Sequence, residues 1–126
     1  MPIIGHGIDL VEISRIEQML ADHAGHFLDR CFTPAEQSYC LAHKSPAQHL
    51  AGRFAAKEAI LKALGTGWRG QIAWTDMEIL GDGAGKPCLA LSGECARLAA
   101  AQQISRWHIS ISHAGNHAIA SAIAES

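Results

Sequence analysis

The chain has 126 residues with 48% hydrophobic and 17% charged side chains and a formal net charge of −2, which bounds it to one domain, residues 1–126, able to bury its own core. The weak acidic balance, with no basic run longer than a single Lys or Arg, argues against nucleic acid as a partner. No apolar run reaches the length of a membrane span and the N-terminus lacks a signal-peptide pattern, so no membrane partner is expected and the expected compartment is cytoplasmic.

Residues 2–13 read as a strand. Ile4, His6, Ile8 and Leu10 fall on one face, and Gly5, Gly7, Asp9 and Val11 on the other. Asp9 is an acid within an otherwise apolar run, beside two glycines that permit close backbone approach. Either it turns the strand end, or it is a buried carboxylate that needs a cation or several donors. Ser14-Arg15-Ile16-Glu17 has the form of a capping box and starts a helix that His23-Ala24-Gly25-His26 ends. Arg15 sits in the first turn, where the helix dipole disfavours a cation; it is there for a partner or is simply solvated. Thr33-Pro34-Ala35-Glu36 is a second capping box with Pro at the first helical position, for a helix running to about His43. Ser45-Pro46-Ala47-Gln48 repeats the device and launches a longer helix.

That longer helix, LAGRFAAKEAILKALGTG over residues 50–67, organises the chain. Leu50, Phe54, Leu61 and Leu64 form one apolar stripe on a helical wheel. Glu58 and Lys62, four residues apart, are neighbours on one flank, and Arg53 lies on the other. Lys57 falls inside the stripe, where an ammonium must snorkel or find a partner. Ala51, Ala55, Ala56 and Ala59 leave room for close approach, and Gly65-Thr66-Gly67 suits a left-handed stop. Two readings are open for this helix alone. It is an ordinary amphipathic helix with a surface Glu–Lys pair, or a site helix with a carboxylate for a hard cation and cations for phosphates.

The second half changes character. Residues 72–80 and 86–91 read as strands around the glycine-rich turn 81–85, with Pro87 where a missing donor is tolerated. Residues 92–103 form an alanine-rich helix, and 107–112 and 118–124 a closing hairpin. Cys31, Cys40, Cys88 and Cys95 lack zinc-like spacing and read as apolar fillers. The order of elements predicts an α+β fold with a mainly antiparallel sheet packed with helices. There is no G-x-S-x-G, no P-loop and no Cys/His nucleophile pair. What remains is two acids in unusual places, Asp9 and Glu58, with Arg53, Lys57, Lys62, Lys86 and His113. Two carboxylates with waters typify Mg²⁺, whose other positions go to substrate phosphates.

The ordered set of GIDLVEI with Arg15-Ile16, FTPAE, GRFAAKEA with Lys62-Ala63, GTG, GKP and ISISH resembles the holo-[acyl-carrier-protein] synthases, the small bacterial branch of the 4′-phosphopantetheinyl transferase family. The resemblance runs through essentially the whole chain. It implies the 4′-phosphopantetheinyl transferase fold and a transferase that moves 4′-phosphopantetheine from coenzyme A to a serine of acyl carrier protein, releasing adenosine 3′,5′-bisphosphate, in the service of fatty acid biosynthesis. It implies Mg²⁺ held by Asp9 and Glu58, catalysis by Glu58 and Lys62, coenzyme A contacts from Arg53, Lys62, Lys86, Pro87, Ser112 and His113, and carrier docking through Arg15. The base for the serine hydroxyl is Glu58 or a metal-held water. The resemblance also implies a homotrimer with sites between subunits, which would account for the sparse charged surface. The first helix departs from the pattern, with Asp22 and Gly25 where further basic residues are expected. A module that binds coenzyme A or a nucleotide without transferring is the alternative reading, and a silent structural subunit a third.

Overall fold

The computed structural model describes residues 2–81 and 83–126, and places five strands and four helices around one central helix. The chain runs β1 (Ile3–Glu12), α1 (Ile13–Cys31), α2 (Pro34–Leu41), α3 (Pro46–Leu64), a short 3-10 turn (Trp74–Asp76), β2 (Met77–Gly81), β3 (Pro87–Leu91), α4 (Gly93–Ala101), β4 (Arg106–Ala114) and β5 (His117–Glu125). All strand pairs are antiparallel. They make a sheet of order β1-β5-β4 and a separate β2-β3 hairpin, in keeping with the α+β expectation. Asp82, in the expected turn 81–85, lies outside the described residues, as does Met1.

Helix α3 does more than bury one stripe. Leu50, Ala51, Arg53, Ala55, Ala56, Lys57, Ala59, Ile60, Leu61, Ala63 and Leu64 are all buried, and only Phe54, Glu58 and Lys62 of its second half reach partly or fully to solvent. The helix packs on β1, β4 and β5 on one side and on α1, α2 and β2 on others. A helix enclosed in this way shows no clean amphipathic face. Ala51, Ala55, Ala59 and Ala63 recur every four residues, and β5 answers with buried Ala118, Ala120, Ala122 and Ala124. Small residues on both surfaces let the helix lie close to the sheet. A Cβ on Gly5 would stand 2.1 Å from the Ala63 carbonyl oxygen, and one on Gly7 1.9 Å from that of Ala59. The helix stops at Gly65, whose φ of 81° is left-handed and whose N–H reaches the Leu61 and Lys62 carbonyls.

The three expected capping boxes fare differently. At α2 the box forms: the Glu36 N–H donates to Thr33 Oγ1 at 3.2 Å, and the Thr33 N–H to Glu36 Oε1 at 3.0 Å. At α1 it does not. The helix begins at Ile13, one residue earlier, and Asn116 from the β4-β5 turn supplies the cap. Asn116 Oδ1 accepts the Ser14 N–H at 3.0 Å and its backbone carbonyl the Ile13 N–H at 2.7 Å. A partner about a hundred positions away is invisible to a local pattern. At α3, Ser45 is the cap residue without a side-chain cap bond; its backbone carbonyl takes the first turn instead. The expected end of α1 near His23 is a kink, with φ −144° and ψ 36°, after which the helix resumes to Cys31. Of the region expected as strand over 72–80, residues Trp74–Asp76 form the 3-10 turn, since Asp76 caps it through the Ala73 N–H. Cys31, Cys40 and Cys95 are buried fillers as expected, whereas Cys88 is exposed on the hairpin.

The helix–sheet spacing carries a direct test. Gly7→Ala must push a backbone carbonyl away, so it is expected to destabilise the fold by about 3 kcal/mol, at the upper end for overpacking. Urea unfolding reads this; a loss indistinguishable from zero shows that the helix can shift freely.

Candidate active site

Strand alternation turns Asp9 toward α3, on the same side as Gly5 and Gly7. Its side chain is 19% exposed. Glu58 reaches it from the fourth turn of α3, and both line one cleft of about 410 Å³ with Leu10, Val11, Arg15, Ile16, Met19, Phe27 and Phe54. Lys62 does not fold back onto Glu58 as the i,i+4 spacing suggests. It crosses to β1, where its ammonium donates to Asp9 Oδ1 at 3.0 Å and to the Ile8 carbonyl at 2.9 Å. The Glu58 carboxyl is pushed above the usual carboxylate range, first by burial, then by the charge of Asp9, with Lys62 opposing.

Two acids whose charges oppose one another, in a half-buried cleft, form an arrangement that a cation relieves. The donors are carboxylate oxygens, the class that suits Mg²⁺. Among the described residues no group of three or more His, Cys, Asp or Glu could hold a metal. Asp9 and Glu58 alone would leave the remaining positions of such an ion to water and substrate, as Mg²⁺ usually has them. The residues present therefore fit this ion.

The other residues singled out from sequence are not brought to this cleft, except Arg15 at its rim. Arg53 is buried; its Nε donates to the Ile79 carbonyl at 3.0 Å and its guanidinium lies 4.4 Å over the Tyr39 ring. Arg53, Pro87 and His113 line a second cleft of about 180 Å³ with Tyr39, His49 and Gly85. No residue is shared between the two clefts. Lys86 is exposed beside Pro87. Ser112 and His113, adjacent in sequence, point to opposite faces of the sheet: His113 approaches Gly52 of α3, while Ser112 lies with Ile8, Ser110 and Ile119 on the outer face. Strand alternation predicts that separation.

Sequence reasoning missed two groups. At the apolar wall of the first cleft the spacing marks Met19 and Phe54 as apolar-face residues but not Phe27, which has a helical signal only if α1 is read past its kink at His23. At the second cleft, His43 and His49 bring their rings to 4.0 Å, with Tyr39 4.4 Å from His43. Tyr39 and His43 are four residues apart, which was the available signal. His49 is driven below its ordinary pKa, first by burial, then by His43, Arg53 and His113.

The sequence model of the 4′-phosphopantetheinyl transferase superfamily matches residues 5–122. This chain belongs to that superfamily. A holo-[acyl-carrier-protein] synthase of Trichlorobacter lovleyi is 50% identical over 123 residues, 98% of each chain. One of Protochlamydia amoebophila is 48% identical over 120 residues, 95% of this chain and 96% of that one. The crystal structure of the Neisseria meningitidis holo-[acyl-carrier-protein] synthase superposes with a TM-score of 0.90 at 34% identity, covering 99% of this chain and 100% of that one. That of Bacillus anthracis, in complex with CoA (3′,5′-ADP), has a TM-score of 0.81 at 38% identity, with 98% and 97% covered. As a member of this superfamily the chain has the 4′-phosphopantetheinyl transferase fold, and Asp9, Glu58 and Lys62 come together within it.

His49 sets a pH dependence. His49 has a folded pKa below its ordinary 6.5. Its neutral form therefore contributes stability that is complete above the unfolded value and is lost as pH falls through the folded one. His49→Phe keeps a ring against His43 and removes this proton. The variant is expected to show a smaller fall in thermal midpoint between about pH 7 and about pH 5 than the parent chain. Parallel curves for the two proteins count against the assignment.

Proposed function

We propose that this chain is a holo-[acyl-carrier-protein] synthase, transferring the 4′-phosphopantetheine group of coenzyme A to a serine of acyl carrier protein. The observation that carries the reading is the meeting of Asp9 and Glu58 at one cleft, with Lys62 paired to Asp9, in a chain half identical to relatives of that name. The serine hydroxyl attacks the pantetheine-bearing phosphorus of the pyrophosphate. A new oxygen–phosphorus bond forms, the bond to the nucleotide phosphate breaks, and adenosine 3′,5′-bisphosphate leaves. Asp9 and Glu58 would hold Mg²⁺, which supplies neutralisation of pyrophosphate and leaving-group charge when bound. Lys62, half exposed at the rim and paired with Asp9, is placed to turn its ammonium toward a phosphate. Glu58 is the side chain we assign to take the hydroxyl proton. Arg15 at the rim offers a cation to an acidic carrier.

The assembly we propose is a homotrimer with its sites between subunits. The outer face of β1-β5-β4 leaves Ile4, Ile8, Leu10 and Ile119 at 40%, 52%, 59% and 37% exposure, an apolar surface that a second copy would cover. One coenzyme A would then use Asp9, Glu58 and Lys62 of one copy and Arg53, Lys86, Pro87, Ser112 and His113 of its neighbour. The separation of the two clefts within a chain supports that division. No helix among the described residues is long and apolar enough to cross a membrane. The proposed setting is the cytoplasm, within fatty acid biosynthesis.

Intact-mass measurement of an apo acyl carrier protein, incubated with this chain, coenzyme A and Mg²⁺, is the deciding experiment. A phosphopantetheine mass gain is expected. Coenzyme A binding with no gain in carrier mass would make the chain a binding module instead. Asp9→Ala and Glu58→Ala are each expected to slow transfer by at least about 100-fold, a few kcal/mol of barrier, with no loss of thermal midpoint. Near-normal rates in Mg²⁺ for either variant would remove the shared-metal assignment. Sedimentation equilibrium should give three chains per particle; a fully active monomer rules out the divided site.

A further inference from the structure

The transfer chemistry uses Glu58 and leaves its neighbour unexplained. Lys57 is fully buried, and its ammonium has three acceptors: the Cys31 carbonyl at 2.6 Å, Glu36 Oε1 at 2.7 Å and the Trp74 carbonyl at 3.2 Å. Three donors meet three acceptors, so the group is satisfied. Glu36, equally buried, also accepts from the Thr33 N–H and, through Oε2 at 2.8 Å, from the Ile79 N–H. One ion pair therefore joins α3 to the end of α1, the start of α2, the 3-10 turn and β2.

The joint lies behind a wall of the first cleft. Lys57 Nζ sits 5.0 Å from the centroid of the Phe32 ring. Phe32 meets Phe27 edge to face at 5.6 Å, and Phe27 lines the cleft opposite Glu58's helix. The kink at His23 separates this part of α1 from the part that bears Arg15, Ile16 and Met19. The stretch after the kink therefore takes its direction separately from the first part of the helix, and the carbonyl at its end is held by Lys57. If the tie goes, Phe27 loses its fixed place relative to Glu58.

We infer that the Lys57–Glu36 pair is a positioning device for the carrier-facing wall of the site, acting through Cys31 and Phe32 on Phe27. The inference rests on the proposed transferase function. It separates the two residues of the Lys57-Glu58 dipeptide by role: Glu58 faces the reacting groups, and Lys57 fixes the surface against which the acyl carrier protein must seat.

Steady-state kinetics on the full chain, with coenzyme A and acyl carrier protein varied separately, tests this. Lys57→Met alone leaves Glu36 a buried unpaired charge and is expected to fold poorly. The double variant K57M/E36Q removes both charges together and so avoids the unpaired charge. It is expected to fold with a lowered thermal midpoint, since the Cys31 and Trp74 carbonyls lose their donor and the single amide oxygen of E36Q cannot accept from both the Thr33 and Ile79 N–H; its KM values are read below that midpoint. Its KM for carrier should rise about tenfold with KM for coenzyme A unchanged, the signature of a misplaced surface. A merely structural pair would lower the active fraction, reducing apparent kcat and leaving both KM values alone; that result overturns the inference. Phe32→Leu keeps the ion pair and interrupts the relay, so it too should raise the carrier KM, and an unmoved value there also overturns it. Arg15→Glu serves as the contrast. A rim charge acts on a salt-dependent association, so its effect should fade as salt is added, while that of K57M/E36Q should persist. A carrier KM unmoved by all three variants removes the first helix from carrier recognition altogether. A parent chain that binds coenzyme A but never modifies carrier overturns the functional reading and this inference with it. Parental transfer with unchanged KM values in the variants overturns this inference alone.

Discussion

The close seating of α3 on the β1-β5-β4 sheet is the constraint on which the site depends. Side chains of ordinary size at positions 5 and 7 would collide with backbone carbonyls of Ala59 and Ala63. With glycine in β1 and alanine along α3 and β5, helix and strand approach until Asp9 and the Lys62 ammonium touch. Cores of this kind gain little from any one large side chain. Their stability comes from many small surfaces in dense contact, and dense packing transmits displacement rather than absorbing it. The acids of the cleft are placed by backbone proximity, which a flexible side chain cannot restore once lost.

That proximity has an electrostatic consequence. Asp9 and Glu58 are held where their charges oppose each other, and burial raises the cost of ionising Glu58 further. Lys62 offsets part of this by pairing with Asp9. It is 52% exposed in doing so, so the pair is screened by water and weakly held. A lysine so placed can turn to a phosphate at small cost. The buried Lys57–Glu36 pair is of the other kind: enclosed, with every polar atom matched, and costly to break from one side. Two lysines five residues apart on one helix thus serve opposite ends, one free to move and one fixed.

The second cleft shows the same economy of geometry with a different chemistry. Arg53 is anchored beneath Tyr39 and by the Ile79 carbonyl, and His43, His49 and His113 gather near it, with no carboxylate among the described residues that line the cleft. Neighbouring basic groups disfavour further positive charge on His49. An anion would relieve that repulsion, just as a cation would relieve the one between Asp9 and Glu58. The two clefts share no lining residue and make opposite electrostatic demands, which supports the proposed division of one ligand between two copies.

Much of this was legible in the sequence. Alternation over Ile3–Glu12 put Asp9 on the side away from Ile8 and Leu10, and helical spacing put Glu58 and Lys62 one turn apart. Gly65 marked the end of α3, and Thr33 with Glu36 marked the start of α2, because those caps are made by neighbours in the chain. The need of Lys57 for a partner followed from its place among apolar residues. Which partner it found did not follow, since Glu36 stands on another helix whose packing no local pattern encodes. Asn116 displacing the local cap at α1, Lys62 choosing Asp9 over Glu58, and Ser112 parting from His113 share that cause. Sequence by itself determined which residues carry charge and which face of its own element each occupies, because these depend on chain chemistry and on the periods of strand and helix. Only the tertiary structure decided which faces meet, because that depends on how closely backbones can approach.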